Sequence, residues 1–436
     1  MSLSSQLIKL IRRKTVTEAD LNRSAVFTLD AIANALAGRR TRQGEMLVQW
    51  AAKQGRDAGR TAFVAGALTH ILETDDLHRA SVTHPGCVVV PAALAITERE
   101  KSGGRDLLRA VLHGFEAMCR VGNAVGPTHY RTWHNTATCG PYGSAMTAAT
   151  LLNLDDCRAM HALGNAGTQS SGVWEFLETG AMSKHLHAGR ASEAGIIAAD
   201  LAAVGFTGPP AILEGERGFF AATCADAIPD AVLADENGAW QLLQTSIKPW
   251  PCCRHTHPVI DTAIALHREL RGRKIDSVFV ETYQAALDVC DRPQPDSEYE
   301  AKFSLFHCAA AALCDGDVDF NSFDGQARNR LESIRQRVSV TANEPWQSAY
   351  PNSWGAKVTV IAEDGTSLNA EREGARGDPE FALTDDEMIA KAKKLLGFAG
   401  LGKGEAEHVV AGVMGLTGAD DHCEVIPSVC ALIRAT

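Results

Sequence analysis

The chain has 436 residues, of which 45% are hydrophobic and 22% charged, so it can bury a sizeable core and wholesale disorder is not expected. Its formal net charge is −11 and no dense cluster of Lys and Arg stands out, which argues against a nucleic-acid partner. No apolar run reaches the length of a membrane span, since the longest, residues 87–96, covers ten residues and contains Pro91.

Targeting and cofactor motifs are also missing from the sequence. The N-terminal segment 7–14 is basic and amphipathic, but no secretory apolar core follows it, so we expect a cytoplasmic protein. The twelve cysteines are scattered without a CxxC pair, which is typical of packing residues and argues against an iron–sulfur cluster. The chain has no Walker A loop and no dinucleotide GxGxxG, so we expect neither a metal nor an organic cofactor.

Apolar residues recur at three- and four-residue steps from about residue 17 to 245, which predicts almost continuous helix. One such stripe covers residues 107–121. Small residues over 191–203 allow helices to approach closely, and Gly205 is a natural stop after them.

The pattern then changes to that of strands. Residues 275–283 and 338–341 are rich in β-branched and aromatic side chains. Residues 358–362 alternate up to an Asp-Gly pair at 364–365, which predicts a β-hairpin.

A helix returns near the C-terminus, where Thr384 and Glu387 have the spacing of a capping box. We therefore predict a mainly α protein. A large helical domain covers residues 1–250, a smaller α+β domain covers 251–380, and a C-terminal helical segment covers 381–436.

The first polar block places three carboxylates, Glu73, Asp75 and Asp76, within four residues and continues to His84 ahead of a Pro-Gly turn. Like charges this close raise one another's pKa, so burying all three is costly. One could be held near His84 as an orienting or proton-accepting group. The alternative for Glu73 is an acidic cap on a solvated helix end.

The second block, residues 133–136, contains His134 and precedes a helix that we predict to begin near Tyr142. The partial positive charge of a helix N-terminus attracts anions and lowers the pKa of a nearby His. This position suits a substrate carboxylate or a neutral imidazole donor. The alternative is a capping turn with a buried aromatic anchor.

The third block contains Lys184, His185, His187 and Arg190. Lys184 could neutralise a carboxylate or, if desolvated, act as a base, and the alternative is a solvated lysine on a loop. Arg190 could form a bidentate contact with a carboxylate. His185 and His187 raise the question of a metal, but no third ligand lies nearby in sequence.

The fourth block begins at Lys248, between residues that mark the change from helices to strands. Its two prolines fix an extended chain that could aim Lys248 into an interdomain cleft, and the alternative is a rigid linker with an exposed lysine. Cys253 could be a nucleophile, although only His255 and His257 are candidate partner bases, and packing is the alternative.

Together and in this order, the blocks resemble those of the MmgE/PrpD superfamily. The resemblance covers nearly the whole chain and is densest over residues 69–86, 129–143, 172–218, 248–257 and 301–304. It implies a helical domain that is discontinuous in sequence, a smaller α+β lid, an active site between the two, and a homodimer.

The resemblance also implies roles for individual residues. His84 matches the His of the family's His-Pro segment, Lys184 the Lys before Leu-His, and Lys248 the Lys before aromatic-Pro. We expect these three to be catalytic together with His134 and Asp75. We expect the substrate to be bound by Asp76, Glu73, His187, Arg190, Cys253 and His257.

The sequence departs from the family pattern at four positions. Glu73, Thr74 and Leu77 stand where the family usually carries Asp, an aromatic residue and a Ser or Thr. Cys253 stands where the decarboxylase branch carries a His. Losing a hydroxyl and an imidazole removes hydrogen-bonding groups, so we expect a shifted substrate preference.

We therefore expect a cofactor-independent lyase of the dehydratase type that removes a proton α to a carboxylate of a small di- or tricarboxylate. One alternative is an epimerase of a substituted succinate such as iminodisuccinate. A second is a non-catalytic homologue that binds a carboxylate or nothing.

Overall fold

The chain folds into two units in the computed structural model, which describes residues 1–419 and 424–434. Unit 1 comprises Met1–Ser246 and the described part of Thr384–Thr436, and unit 2 comprises Ile247–Leu383. None of the helices in the described ranges is both long and apolar enough to cross a membrane.

The helices and strands follow in chain order. The α-helices are α1 Leu3–Arg13, α2 Glu18–Gly38, α3 Arg42–Ala51, α4 Ala58–Thr69, α5 Gly86–Glu100, α6 Gly104–Ala124, α7 Gly126–Tyr130, α8 Asn135–Leu151, α9 Asp156–Gly167, α10 Ser183–Ala203, α11 Phe219–Thr223, α12 His257–Leu270, α13 Gln284–Cys290, α14 Glu298–Lys302, α15 Leu305–Asp315, α16 Gly325–Arg330, α17 Glu332–Arg335, α18 Trp346–Ala349, α19 Asp385–Phe398, α20 Lys403–Met414 and α21 Val425–Arg434. The strands are β1 Leu77–His78, β2 Thr245–Ser246, β3 Ile275–Thr282, β4 Val338–Ala342, β5 Ala356–Ala362 and β6 Ser367–Arg372. The prediction of a mainly α fold is confirmed.

Unit 1 is a layered helical body in which α4, α5, α6, α8 and α10 pack against one another. Small residues permit this packing: a Cβ added at Gly195 of α10 would lie 2.2 Å from the Ala145 nitrogen of α8. Helix α19, the first helix after unit 2, packs back against α2 and so belongs to unit 1. Its capping box forms as predicted, because the Glu387 carboxylate accepts the Thr384 N–H at 2.9 Å.

Unit 2 contains a four-stranded sheet in the order β4–β3–β5–β6. The pair β3–β4 is parallel, and β3–β5 and β5–β6 are antiparallel. The predicted hairpin is therefore confirmed between β5 and β6. Alternate residues of β5, including Val358 and Val360, are buried in a core that also contains residues of α12 and α15.

One prediction about local structure is wrong, and the alternative given for Lys184 does not hold. The helix that was expected to begin near Tyr142 begins at Asn135, and Pro141 lies inside it. Lys184 lies in the first turn of α10 and not on a loop, since the helix already begins at Ser183. His134 therefore lies immediately before the helix. A helix N-terminus favours a bound anion or a neutral imidazole.

Candidate active site

An acidic turn between α4 and β1 forms the centre of the candidate site in unit 1. The side chains of Glu73, Asp75 and Asp76 are all buried, so the alternative of a solvated acidic cap does not hold for Glu73. Glu73 adopts a left-handed backbone conformation with φ of 60°, which is uncommon for a residue other than Gly. Burying three carboxylates requires separate compensation for each, and the surrounding residues supply it.

Glu73 is compensated by a lysine from α10. The Lys184 Nζ lies 2.5 Å from Glu73 Oε1, and only 12% and 5% of the two side chains are exposed. Two opposite charges with so little exposure attract each other more strongly than a pair on the surface, because the effective dielectric constant is lower. The pair brings the first and third polar blocks of the sequence together.

Asp75 is compensated by two histidines. Its Oδ2 lies 2.6 Å from His70 Nδ1 and 3.4 Å from His84 Nδ1. Burial alone would raise the pKa of Asp75, but the positive charges and hydrogen bonds of His70 and His84 outweigh it and hold the pKa well below 3.8. Asp75 is therefore an ionised carboxylate that orients two imidazoles.

The protonation of His84 follows from its neighbours. Its Nδ1 lies 2.6 Å from the Asp76 carbonyl oxygen, which can only accept a hydrogen bond, so Nδ1 carries the hydrogen. The His84 backbone N–H donates to Thr136 Oγ1 in the first turn of α8 at 3.0 Å. The first contact holds the ring, and the second holds the backbone that carries it. Nε2 is therefore the ring nitrogen that can exchange a proton.

Asp76 supports the start of α5. Its two carboxylate oxygens accept the Gly86 N–H at 2.9 and 3.1 Å, as an acid at a helix N-terminus does. Burial, and then the charge of Asp75, raise the pKa of Asp76 well above 3.8.

His134 and His187 form a second pair of imidazoles. Their Nδ1 atoms are 3.2 Å apart, and the Trp174 ring lies 4.6 Å from the His134 ring. Burial lowers the pKa of His134 well below 6.5, and the positive charges of His70 and Lys184 lower it further. Burial and the same two neighbours lower the pKa of His187 to about 4. Both rings are therefore neutral at pH 7.

We expect the His187 imidazole to titrate near pH 4 in the folded chain, because charging it costs desolvation energy. Histidine-selective NMR of the wild type, assigned by comparison with His187→Gln, measures this midpoint. The same resonance in urea should move to a midpoint near about 6.5. A midpoint of about 6.5 in the folded chain would contradict the burial of the His187 ring.

Sequence reasoning missed His70, which lies at the centre of the imidazoles. Its ring centroid is 4.8 Å from that of His84, 5.8 Å from that of His134 and 6.4 Å from that of His185. The His70 Nε2 is buried and has no hydrogen-bond partner among the described residues. A single His after an apolar helix has no local pattern that marks it as a site residue. The contact with Asp75, five residues later, forms only when the turn between them folds.

His185 also enters the cluster, although the sequence suggested it only as a weak metal ligand. Burial, and then the charge of His70, lower the pKa of His185 to about 3. Its Nδ1 is buried and without a hydrogen-bond partner in the described part of the chain. The cluster thus contains five histidines: His70, His84, His134, His185 and His187.

One group in the described residues has the composition of a metal site. His70, Asp75 and His84 place potential ligand atoms within 4.8 Å of one another. Because His84 Nδ1 donates its hydrogen to the Asp76 carbonyl oxygen, Nε2 is the ring nitrogen of His84 that could bind a metal. As they stand, the three side chains form a hydrogen-bonded group, since His70 Nδ1 lies 2.6 Å from Asp75 Oδ2 and His84 Nδ1 lies 3.4 Å from it.

The stability of the fold should depend on Asp75 in a pH-dependent way. Its folded-state pKa lies well below 3.8, whereas the unfolded value is about 3.9, so the unfolded chain binds the proton first as the pH falls. The stabilisation is complete above the unfolded pKa and is lost as the pH falls through the folded pKa. We expect the wild type to melt above Asp75→Asn at pH 6, and the gap to shrink below about pH 4. Thermal unfolding of both proteins from pH 3 to 7 measures the difference in melting temperature. A difference that does not change with pH would contradict the lowered pKa of Asp75.

The other predicted site residues have their own local contacts. Arg190 pairs with Glu193 three residues along α10 and is largely exposed. In unit 2, the ring of His257 lies 5.3 Å from that of Trp250, and the Cys253 N–H donates to the Lys302 carbonyl at 2.9 Å. Lys248 belongs to unit 2 as well.

Comparison with known proteins relates the chain to one family. The profile described as the MmgE/PrpD N-terminal domain matches residues 5–231, and that of the MmgE/PrpD C-terminal domain matches residues 250–411. The chain is 27% identical over 364 residues to a cis-aconitate decarboxylase of Mus musculus, covering 77% of this chain and 72% of that protein. It is 25% identical over 420 residues to a cis-aconitate decarboxylase of Aspergillus terreus, covering 86% of this chain and 85% of that protein.

Proposed function

Because the chain belongs to the MmgE/PrpD family, we propose that it is a lyase that forms a carbanion next to a carboxylate of a small tricarboxylate or dicarboxylate. The reaction proposed first is the elimination of water from a hydroxy acid, without a metal or an organic cofactor. The observation that carries the proposal is the Lys184–Glu73 pair beside neutral and carboxylate-bound imidazoles. This set combines an anion-binding cation with groups that can exchange protons.

His134 is the proposed base. Its lowered pKa leaves the imidazole unprotonated at pH 7, so it can remove a proton from the carbon next to a carboxylate. The negative charge that develops on that carboxylate is stabilised by the cationic Lys184, an electrostatic contribution that is largest where water is excluded.

His84 is the proposed acid. The ionised Asp75 lies 3.4 Å from its ring and stabilises a positive charge there. An imidazolium at this position can protonate a departing hydroxyl through Nε2, and His84 then returns to its neutral form. Asp75 is a positioning residue in this scheme, and Glu73 holds Lys184.

Contributions from unit 2 remain predictions. From the family resemblance we expect Lys248, Cys253 and His257 to contact the substrate, and we expect the chain to form a homodimer. Asp76, His187 and Arg190 remain proposed substrate-binding residues, although Asp76 also holds the start of α5.

Decarboxylation is the second candidate, and the two relatives named above favour it. Loss of carbon dioxide from an unsaturated tricarboxylate leaves a carbanion that the same lysine could stabilise and the same imidazoles could protonate. Epimerisation of a substituted succinate is the third candidate, because it needs two acid–base groups and no leaving group. His84 and His134 would supply those two groups.

Proton NMR in D2O with a panel of acids distinguishes these reactions. The panel contains methylcitrate and citrate isomers, cis-aconitate, tartrate, malate and iminodisuccinate. A new alkene from a hydroxy acid supports elimination, loss of a carboxylate from cis-aconitate supports decarboxylation, and inversion with deuterium incorporation supports epimerisation. No reaction and no ligand-induced rise in melting temperature with any member would support the non-catalytic alternative.

A further inference from the structure

The acidic turn is anchored by a lysine that lies far from it in sequence. The Lys391 Nζ of α19 lies 2.6 Å from Asp30 Oδ1 of α2 and 2.7 Å from the carbonyl oxygen of Thr74. Both charged side chains are almost completely buried, with 9% and 4% exposed. Lys391, Asp30 and Thr74 all belong to unit 1.

The side chain of Thr74 is held by α2 as well. Its hydroxyl donates to Asn34 Oδ1, and the Asn34 amide in turn donates to the Asp30 carbonyl oxygen at 2.9 Å. The two helices therefore fix both the backbone and the side chain of this one residue.

Thr74 lies between two residues of the candidate site. The residue before it is Glu73, which pairs with Lys184, and the residue after it is Asp75, which orients His70 and His84. Glu73 has a positive φ, a conformation that the surrounding contacts must maintain. A shift of the Thr74 carbonyl would move both carboxylates.

We propose that Lys391 is a positioning residue that clamps Thr74 and thereby sets the Glu73–Lys184 pair and the Asp75–histidine contacts for catalysis. This inference rests on the proposed function for its kinetic consequence. The competing explanation is a buried ion pair that stabilises the fold and has no specific effect on the site.

Four variants separate the two explanations. Lys391→Met removes the bond to Thr74 and also leaves Asp30 without its cation, so it lowers stability as well as positioning. Asp30→Asn lowers stability but leaves Lys391 able to donate to Thr74. The double variant Asp30→Asn/Lys391→Met removes both buried charges and still lacks the clamp. Lys393→Met is the matched control, because Lys393 is exposed on the same helix.

We expect Lys391→Met to lower kcat at least tenfold with KM changed less than about threefold, since a displacement of about 1 Å at a reacting group can cost about 10²-fold. Asp30→Asn should melt earlier but keep kcat within about threefold, and the double variant should regain melting temperature but keep the low kcat. Lys393→Met should match the wild type. A kcat that follows melting temperature across the set, or an unchanged kcat in Lys391→Met, would overturn the proposal.

Hydrogen exchange gives a measurement that does not depend on turnover. We expect the amides of residues 72–76 to exchange faster in Lys391→Met and in the double variant than in Asp30→Asn, because only the first two release the turn. Equal exchange in all variants would overturn the clamp. If the wild type turns over no acid of the panel, the proposed function fails while the exchange result still decides the clamp.

Discussion

Replacing Lys184 with Met is expected to lower kcat by at least about 10²-fold, the effect of removing a group that stabilises charge in a transition state. The side chains are similar in length, so Met fills the space but carries no charge. Steady-state turnover of the panel acid that the wild type accepts measures the effect. Turnover within about threefold of the wild type would remove Lys184 from the mechanism.

Stability must be measured alongside this activity. Removing Lys184 leaves Glu73 buried without the cation that lies 2.5 Å away, so we expect a loss of about 3 kcal/mol in the free energy of unfolding. The variant Glu73→Gln/Lys184→Met removes both charges and should recover much of that loss. If activity returned together with stability, the loss in Lys184→Met would be due to the fold and not to catalysis.

Replacing His134 with Gln is expected to lower kcat by about 10²- to 10⁴-fold, which is the range for the loss of a general base. Deuterium incorporation into the substrate should fall with it, because the same group removes the carbon-bound proton. Because the pKa of His134 lies well below 6.5, the wild type should keep its base unprotonated as the pH falls from 7 to 6. Kinetics and exchange rates across this range measure both effects.

His113 provides the matched control for this substitution. It is another buried histidine of unit 1, burial lowers its pKa to about 3, and its Nδ1 lies 3.0 Å from the hydroxyl of Thr150. His113→Gln should change stability but leave kcat within about threefold of the wild type. Equal losses of kcat in the two variants would show that His134 acts through the fold.

The sequence predicted the elements with strong local signals. Periodic apolar residues identified the helical body, the Asp-Gly pair identified the hairpin, and the spacing of Thr384 and Glu387 identified a helix start. Each of these signals depends on neighbours within a few residues. The beginning of α8 was misplaced because Pro141 usually marks a helix end or an early turn, and here it lies inside the helix.

The candidate site was predictable only in part. Polar blocks with His and Lys identified residues such as His134 and Lys184, but not their pairing. The contact between Glu73 and Lys184 depends on a turn in which Glu73 has a positive φ. No local sequence pattern predicts this turn. His70 and Lys391 were missed because their roles depend on partners brought together by folding, and Lys391 lies 317 residues from Thr74.

The most direct test of the account is deuterium incorporation by protein that has been dialysed against a chelator. We expect that in D2O a carbon-bound hydrogen next to a carboxylate of at least one panel acid exchanges as fast as before dialysis. We also expect this exchange to be lost in Lys184→Met. Exchange that disappears on chelation and returns with added metal, or that persists in Lys184→Met, would contradict the central claim that Lys184 and the imidazoles form the carbanion without a metal.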